Sequence, residues 1–284
     1  MRRNQQGIAL MTVLLVMSLA LLITAGMLRS HRLVLHSSAQ QIHQLQMRTL
    51  AFAGESWARE HLRNLIRDPK VAVAAGQAWT SGQPQLRIDN GQIEVDIEDL
   101  AGRFNLSALL GKGPADAVLV QRWLRLQTLL ELPALDAGVL QGQGLSEISQ
   151  LRGLPGVDSQ WYERMRPWIA LLGNEAPVNI NTAPATVLAT LEGVTPELAR
   201  QLVANRPLQG YASVEDFTFS PALIGLGIQA EGLGINSRWF RITTHVRVGQ
   251  SRFCLESDMV GNLQTGQWRL LQRRFLAPQH NEHS

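Results

Sequence analysis

The sequence predicts an α+β chain in which a long N-terminal helix carries an antiparallel sheet, with an all-α domain inserted into that sheet. Three observations predict it. Ile8 to Leu28 is an apolar run, and no charged residue falls between Arg3 and Arg29. Apolar and polar residues alternate at two distant places, 86–97 and 239–275, as they do in half-buried strands. Between those places lie roughly 130 residues of short helix-like segments punctuated by glycine and proline.

The apolar run comes first. As an α-helix at ~1.5 Å per residue, Ile8–Leu28 extends about 31 Å, enough to cross a hydrocarbon core of about 30 Å. Three readings fit it. A cleaved signal peptide has its basic start in Arg2-Arg3, but the run is long and Ile23-Thr24-Ala25 is a poor cleavage site. A signal anchor fits the length, although Arg2 and Arg3 face Arg29 and Arg32 and leave orientation ambiguous. A prepilin-type leader would end at Gly7 and be cut before Ile8, leaving the helix on the mature protein.

The helical pattern continues past the membrane edge. Leu35, Ala39, Ile42, Leu45, Thr49 and Phe52 recur at three- and four-residue steps, which places them on one face of a stalk helix over 29–67. Asp68-Pro69 is the expected stop, and Gly54 an expected point of bending. Beyond the stalk, Leu86–Asp89 and Ile93–Ile97 flank Asn90-Gly91, a hairpin turn dipeptide. Strands resume at Trp239–Val248, Arg252–Val260 and Gln267–Phe275. The first hairpin is too small to stand alone, so 84–104 and 237–276 are expected to form one sheet around an inserted helical domain over 105–236. Residues 277–284 read as a loose tail.

The insert holds the sharpest local pattern, from Val178-Asn179-Ile180-Asn181-Thr182-Ala183-Pro184 through Gly193 to Thr195-Pro196. Thr182 is expected to cap one helix, with Pro184 in its first turn; Gly193 ends that helix and Thr195-Pro196 starts the next. Two short helices joined by such a turn resemble a helix-hairpin-helix unit of the SAM-like kind, and 145–172 resembles a degenerate second one. Such units often hold DNA phosphates on free turn amides. Here Pro196 removes a donor and Glu197 brings a negative charge, so a packing module is the better reading and no nucleic acid is expected. The formal charge of +3 points the same way.

Taken together, leader, sheet and insert resemble the type II secretion minor pseudopilin of the K class (general secretion pathway protein K). Gly7-Ile8-Ala9-Leu10 resembles the prepilin peptidase site, Ile97–Leu106 the strand that enters the insert, and Val178–Pro184 the family's most distinctive run. The resemblance implies cleavage between Gly7 and Ile8, with Ile8 the candidate for N-methylation. It implies a single-pass inner-membrane protein with a periplasmic head, at the tip of the pseudopilus that it initiates or caps. The implied partners are minor pseudopilins of the H, I and J classes, the major pseudopilin and prepilin peptidase. Most pilin-like chains carry glutamate at the fifth mature position. Here that position is Thr12, and a neutral residue suits a tip subunit with no neighbour above it.

The resemblance also associates calcium with the class. The corresponding region here, 133–144, contains only Asp136, whereas calcium takes six to eight oxygens. No metal or other cofactor is expected, and the strand acids Glu94, Asp96, Glu256 and Asp258 read as a solvated face. No Gly-x-Ser-x-Gly elbow or ligand-spaced histidine set marks an enzyme. The alternative reading is a membrane-anchored helix-hairpin-helix DNA-binding protein of the competence type.

Overall fold

The computed structural model describes residues 3–63, 65, 71–77, 79, 86–88 and 91–276, with side chains from Leu10 onward except at 36, 39 and 86–88. It divides into two compact units, Met1–Leu50 and Ala51–Ser284.

The first unit is helical throughout its described residues and belongs to helix α1 (Arg3–His61). From Leu10 to Leu28 its side chains are exposed, and an 18-residue window reaches a mean hydropathy of 2.4 with 0% of it buried. The few hydroxyls in the apolar part are satisfied locally. Ser18 donates to the Leu15 carbonyl at 2.8 Å and Thr24 to that of Ala20 at 2.8 Å. In lipid, where no water can receive them, such back-bonds remove the cost of a bare polar group.

The second unit opens with the last turns of α1 packed on a five-stranded antiparallel sheet. Its strands are β1 (Leu86–Ile88), β2 (Gly91–Asp99), β7 (Trp239–Val248), β8 (Ser251–Gly261) and β9 (Trp268–Leu276), hydrogen-bonded in that order. The expected alternation is visible in burial. Ile93 and Val95 on β2 and Phe240, Ile242 and Val246 on β7 are buried, while Asp96 and Glu98 are exposed.

The helix meets this sheet through small residues. Ala51, Gly54 and Ala58 lie at spacings of three and four and are buried. A Cβ on Gly54 would lie 2.5 Å from Thr244 Cγ2 and 3.1 Å from Val95 Cγ2. Gly54 therefore stands within an unbroken helix. It allows a close approach that no other residue permits.

One expectation about α1 changes. The helix ends at His61 and not near 67, because Arg63 and Leu65 turn back to the carbonyls of Glu60 and Leu62. Trp268 Nε1 donates to the Arg59 carbonyl at 3.1 Å, satisfying one of the acceptors that a helix C-terminus leaves open. Asp68-Pro69 and Asn90 fall outside the described residues.

β2 and β7 are neighbours, with Asp99 opposite Phe240, so the chain leaves the sheet at Asp99 and returns at Trp239. The segment emitted between them holds β3 (Phe104–Asn105), α2 (Ala117–Leu129), α3 (Ala137–Leu140), α4 (Ser159–Met165), β4 (Ile169–Ala170), β5 (Val178–Asn179), α5 (Ala185–Leu188), α6 (Pro196–Ala204), α7 (Val214–Thr218) and β6 (Leu233–Gly234). The segment 145–172, expected as a degenerate pair of short helices (145–151 and 160–171), holds less helix than that for identifiable reasons. The segment 145–151 becomes a 3-10 turn, Ile148–Gly153, whose capping box pairs Glu147 with Gln150. In 160–171, Pro167 stops α4 at Met165, and the chain continues as a 3-10 turn into β4.

Two apolar cores hold this segment together. One gathers around Trp123, Leu126, Leu140 and Trp161, the other around Ile180, Val187, Leu191 and Phe217. Each large side chain fully buried there contributes about 1.5–3 kcal/mol relative to exposure.

Candidate functional site

Two regions bear on function: the exposed row along α1 and the polar junction where the insert meets the sheet. In the row, Leu35 is 69% exposed, Ile42 58%, Leu45 61% and Phe52 38%, values far above those of a packed face. Thr49 is exposed and donates to the Leu45 carbonyl at 2.9 Å. The side chain of Ala39 is not described. Gly7 and Ile8 fall within α1, and Thr12 is exposed among apolar neighbours.

The buried face of α1 lies one step round the helix. It carries Glu55, which is only 3% exposed and which the sequence reading passed over. Arg273 on β9 grips its carboxylate from Nε at 3.0 Å and Nη2 at 2.8 Å, and Ser257 on β8 donates at 2.7 Å. The signal was present in the spacing Ala51, Glu55, Ala58, Leu62, where an acid stands among residues that pack on the sheet.

At the junction, the pattern around Asn179 proves to be a set of buried hydrogen bonds. Asn179 Nδ2 donates to the Val73 carbonyl at 2.8 Å and to Asp99 Oδ2 at 2.8 Å, while its Oδ1 accepts from the Asn181 N–H. Asn181 Oδ1 accepts from the Tyr211 N–H at 2.7 Å, and its Nδ2 donates to the Tyr211 carbonyl at 3.0 Å. A side chain at Gly210, which has a φ of +76°, would collide with Asn181. Asn105 works in the same way on the other half, donating to the carbonyls of Gly173 and Ala176.

Thr182 is not the helix cap expected of it. Its hydroxyl donates to Asp99 Oδ2 at 2.6 Å, and Pro184 occupies the N-cap of α5 without a side-chain bond. Asp99 thus receives Asn179, Thr182 and the Ala101 N–H, and burial pushes its carboxyl above the usual range in spite of these donors and Ser237. Asp99 was legible too, since it continues the inward set Ile93, Val95, Ile97.

The helix-turn-helix stretch offers no anion site. Gly193 turns with a φ of +72°, and Thr195 caps α6 by accepting from the Leu198 N–H. Arg200 pairs with Glu197 at 2.6 Å, and Arg206 donates to the Ala183 carbonyl. Behind the turn, the guanidinium of Arg122 forks onto both oxygens of Glu192 at 3.0 Å. Burial pushes Glu192 up, but the bonds from Arg122 outweigh it and hold the carboxyl below its usual range. These charges fasten the insert to itself and support no nucleic-acid reading.

The strand acids are not a solvated face throughout. Asp258 receives Arg241 at 2.7 Å and Arg274 at 3.1 Å, and Glu256 joins the same cluster at 12–15% side-chain exposure for the two acids. Asp258 and Glu256 hold the Arg241 guanidinium above its ordinary value despite burial. Among the described residues, no group of three or more His, Cys, Asp or Glu side chains could hold a metal. Asp136, the one acid of 133–144, accepts from the Gly138 N–H as the cap of α3.

An apolar N-terminal helix running into an antiparallel sheet defines a pilin-like subunit, one that lipid or neighbouring helices must cover. A family described as type II secretion system (T2SS), protein K matches residues 178–236, the stretch that contains the Asn179 junction. The type II secretion system protein K of Pseudomonas aeruginosa is 29% identical over 91% of this chain and 90% of its own length. That of Klebsiella pneumoniae is 28% identical over 97% and 98%. A chain in the crystal structure of the GspK-GspI-GspJ complex from the enterotoxigenic Escherichia coli type 2 secretion system shares the fold, with a TM-score of 0.69 at 23% identity, covering 86% of this chain and 100% of that one. The chain is thus similar to protein K over nearly its whole length, and the relatives support a minor pseudopilin of type II secretion.

Proposed function

We propose that this chain is the tip subunit of a periplasmic pseudopilus, where it initiates or caps assembly for export across the outer membrane. The observation that carries this reading is the emission of residues 100–238 between the neighbouring strands β2 and β7. A body of that size on one head would obstruct a subunit packed in mid-fibre, and it is tolerated where nothing sits above. Thr12 supports the same position, because a tip subunit has no upper neighbour whose amine would compensate a carboxylate in the apolar stretch.

In this reading prepilin peptidase cuts between Gly7 and Ile8, Ile8 is N-methylated, and the helix anchors the chain in the inner membrane before it is drawn into the fibre. The head lies in the periplasm and catalyses nothing. The partners are minor pseudopilins of the H, I and J classes and the major pseudopilin, which meet the row Leu35–Phe52. The structural relative supports this because it was solved as a complex of three such chains. The helix-hairpin-helix units of the insert serve as packing modules. The reading includes no calcium site, since 133–144 brings a single carboxylate, Asp136, where calcium takes six to eight oxygens.

The mass of the mature N-terminus tests the reading. A chain that begins at N-methylated Ile8 is expected. An intact Met1, or a cut near Ala25, would sink it.

A further inference from the structure

β9 closes one side of the sheet. It is hydrogen-bonded to β8 and, among the described residues, to no other strand. A long exposed edge of this kind is a template for further pairing unless something blunts it.

The side chains of β9 do not follow the pattern of a solvated edge. A strand with one wet face alternates apolar and polar residues, whereas a strand covered on both faces is apolar at consecutive positions. β9 has two runs of consecutive apolar residues: Leu270-Leu271, where a bulge opposite Asp258 and Met259 accounts for the break in alternation, and a second pair, Phe275-Leu276, which lies in regular register; they are exposed at 40%, 41%, 52% and 36%. Phe275 lies opposite Leu255 and Leu276 opposite Cys254, so the second pair presents apolar surface on both faces of the sheet. Phe275 packs on Phe253 with ring centroids 5.5 Å apart, and on that face Arg273 lies 4.9 Å above the Phe52 ring. The apolar strip therefore continues from the strand edge onto α1.

Arginines on β9 could be taken as the charges that keep other strands away. Two of the three are turned to internal partners: Arg273 is held by Glu55, and Arg274 by Glu256 and Asp258. Neither is available to repel an approaching chain. Arg269 is exposed and pairs with no carboxylate among the described residues. The strand also argues against a second copy of this chain, since β9 contains no acid that could pair with the Arg269 of a neighbouring copy.

We infer that the free edge of β9 accepts a sixth strand, an extended apolar segment of a neighbouring minor pseudopilin that brings a carboxylate to Arg269. This rests on the proposed partnership and specifies where one partner docks. Backbone bonds would supply the affinity, while Leu270, Leu271, Phe275 and Arg269 would select the sequence.

The test is amide hydrogen exchange over 268–276, with the full chain co-expressed with its partner minor pseudopilins and purified in detergent. Strand addition is expected to slow alternate amides there by about tenfold or more on complex formation. Arg269→Glu should weaken the complex without altering the thermal midpoint of the isolated chain. A complex that forms while these amides exchange unchanged overturns the inference, because a helix laid on the side chains would not protect them. Slow exchange already present in the isolated chain also overturns it. If the unmodified chain forms no complex at all, the partnership itself fails, a result distinct from the other two.

Discussion

Asn179 Nδ2 donates to Asp99 Oδ2 at 2.8 Å, across 80 residues of chain. The bond joins the point where the chain leaves the sheet to the family's matched stretch. Both residues are buried, and the donors that converge on Asp99 (Asn179, Thr182 and the Ala101 N–H) are uncharged.

Removing Asn179 strips a buried carboxylate of a donor, and it also releases the Val73 carbonyl and the Asn181 N–H. Such groups each cost about 1–3 kcal/mol when left bare. Asn179→Ala is expected to lose about 3 kcal/mol in urea unfolding followed by tryptophan fluorescence. A loss below about 1 kcal/mol would mean that water replaces the side chain.

Asp99 also predicts a pH dependence. Burial raises its folded value above the ordinary 3.8, so the folded chain holds this proton more tightly than the unfolded one does. The resulting stability is fully present below the unfolded value and is lost as pH rises through the folded one. Relative to Asp99→Asn, the unmodified chain should therefore gain stability as pH falls from neutrality toward 4. Melting both proteins across that interval checks the sign.

Glu55 and Arg273 behave as a pair. Arg273→Met leaves a nearly fully buried carboxylate with Ser257 alone, at a cost of about 3 kcal/mol. Adding Glu55→Leu removes the bare charge and should recover most of that loss. Equal destabilisation in the single and double variants would show that packing of the arginine stem, and not charge, was at stake.

Gly54→Ala separates helix propensity from packing. Alanine favours an isolated helix by about 1 kcal/mol, but here its Cβ meets Thr244 and Val95, and overpacking typically costs about 1–3 kcal/mol. Net destabilisation is expected, relieved in part by Thr244→Ala. A stabilised variant would show that the helix can lift from the sheet at no cost.

Ile42→Asp places a charge in the exposed row. It is expected to abolish co-purification with the partner minor pseudopilins while leaving the isolated head as stable as before. Unaltered assembly would remove the row from consideration.

Much of this was legible in the chain. Strand β7 lies where alternation predicts it, at Trp239–Val248, because a half-buried strand writes its pattern into adjacent residues. The apolar run of α1 was equally plain, since 25 consecutive uncharged positions, 4–28, leave few structural choices. Helix ends in the insert were less legible. Thr182 has the residue type of a cap but serves a carboxylate 83 positions away, and the sequence does not show which acceptor wins such a hydroxyl.

The sequence by itself determined the membrane-length helix, the strands and the segment between them, all of which depend on periodicity over a few turns or a few pleats. Only the tertiary structure decided what Glu55, Asp99, Asn179 and Gly54 do. Their roles depend on partners distant in the chain, and a buried polar group takes its meaning from whichever donor or acceptor folding brings to it.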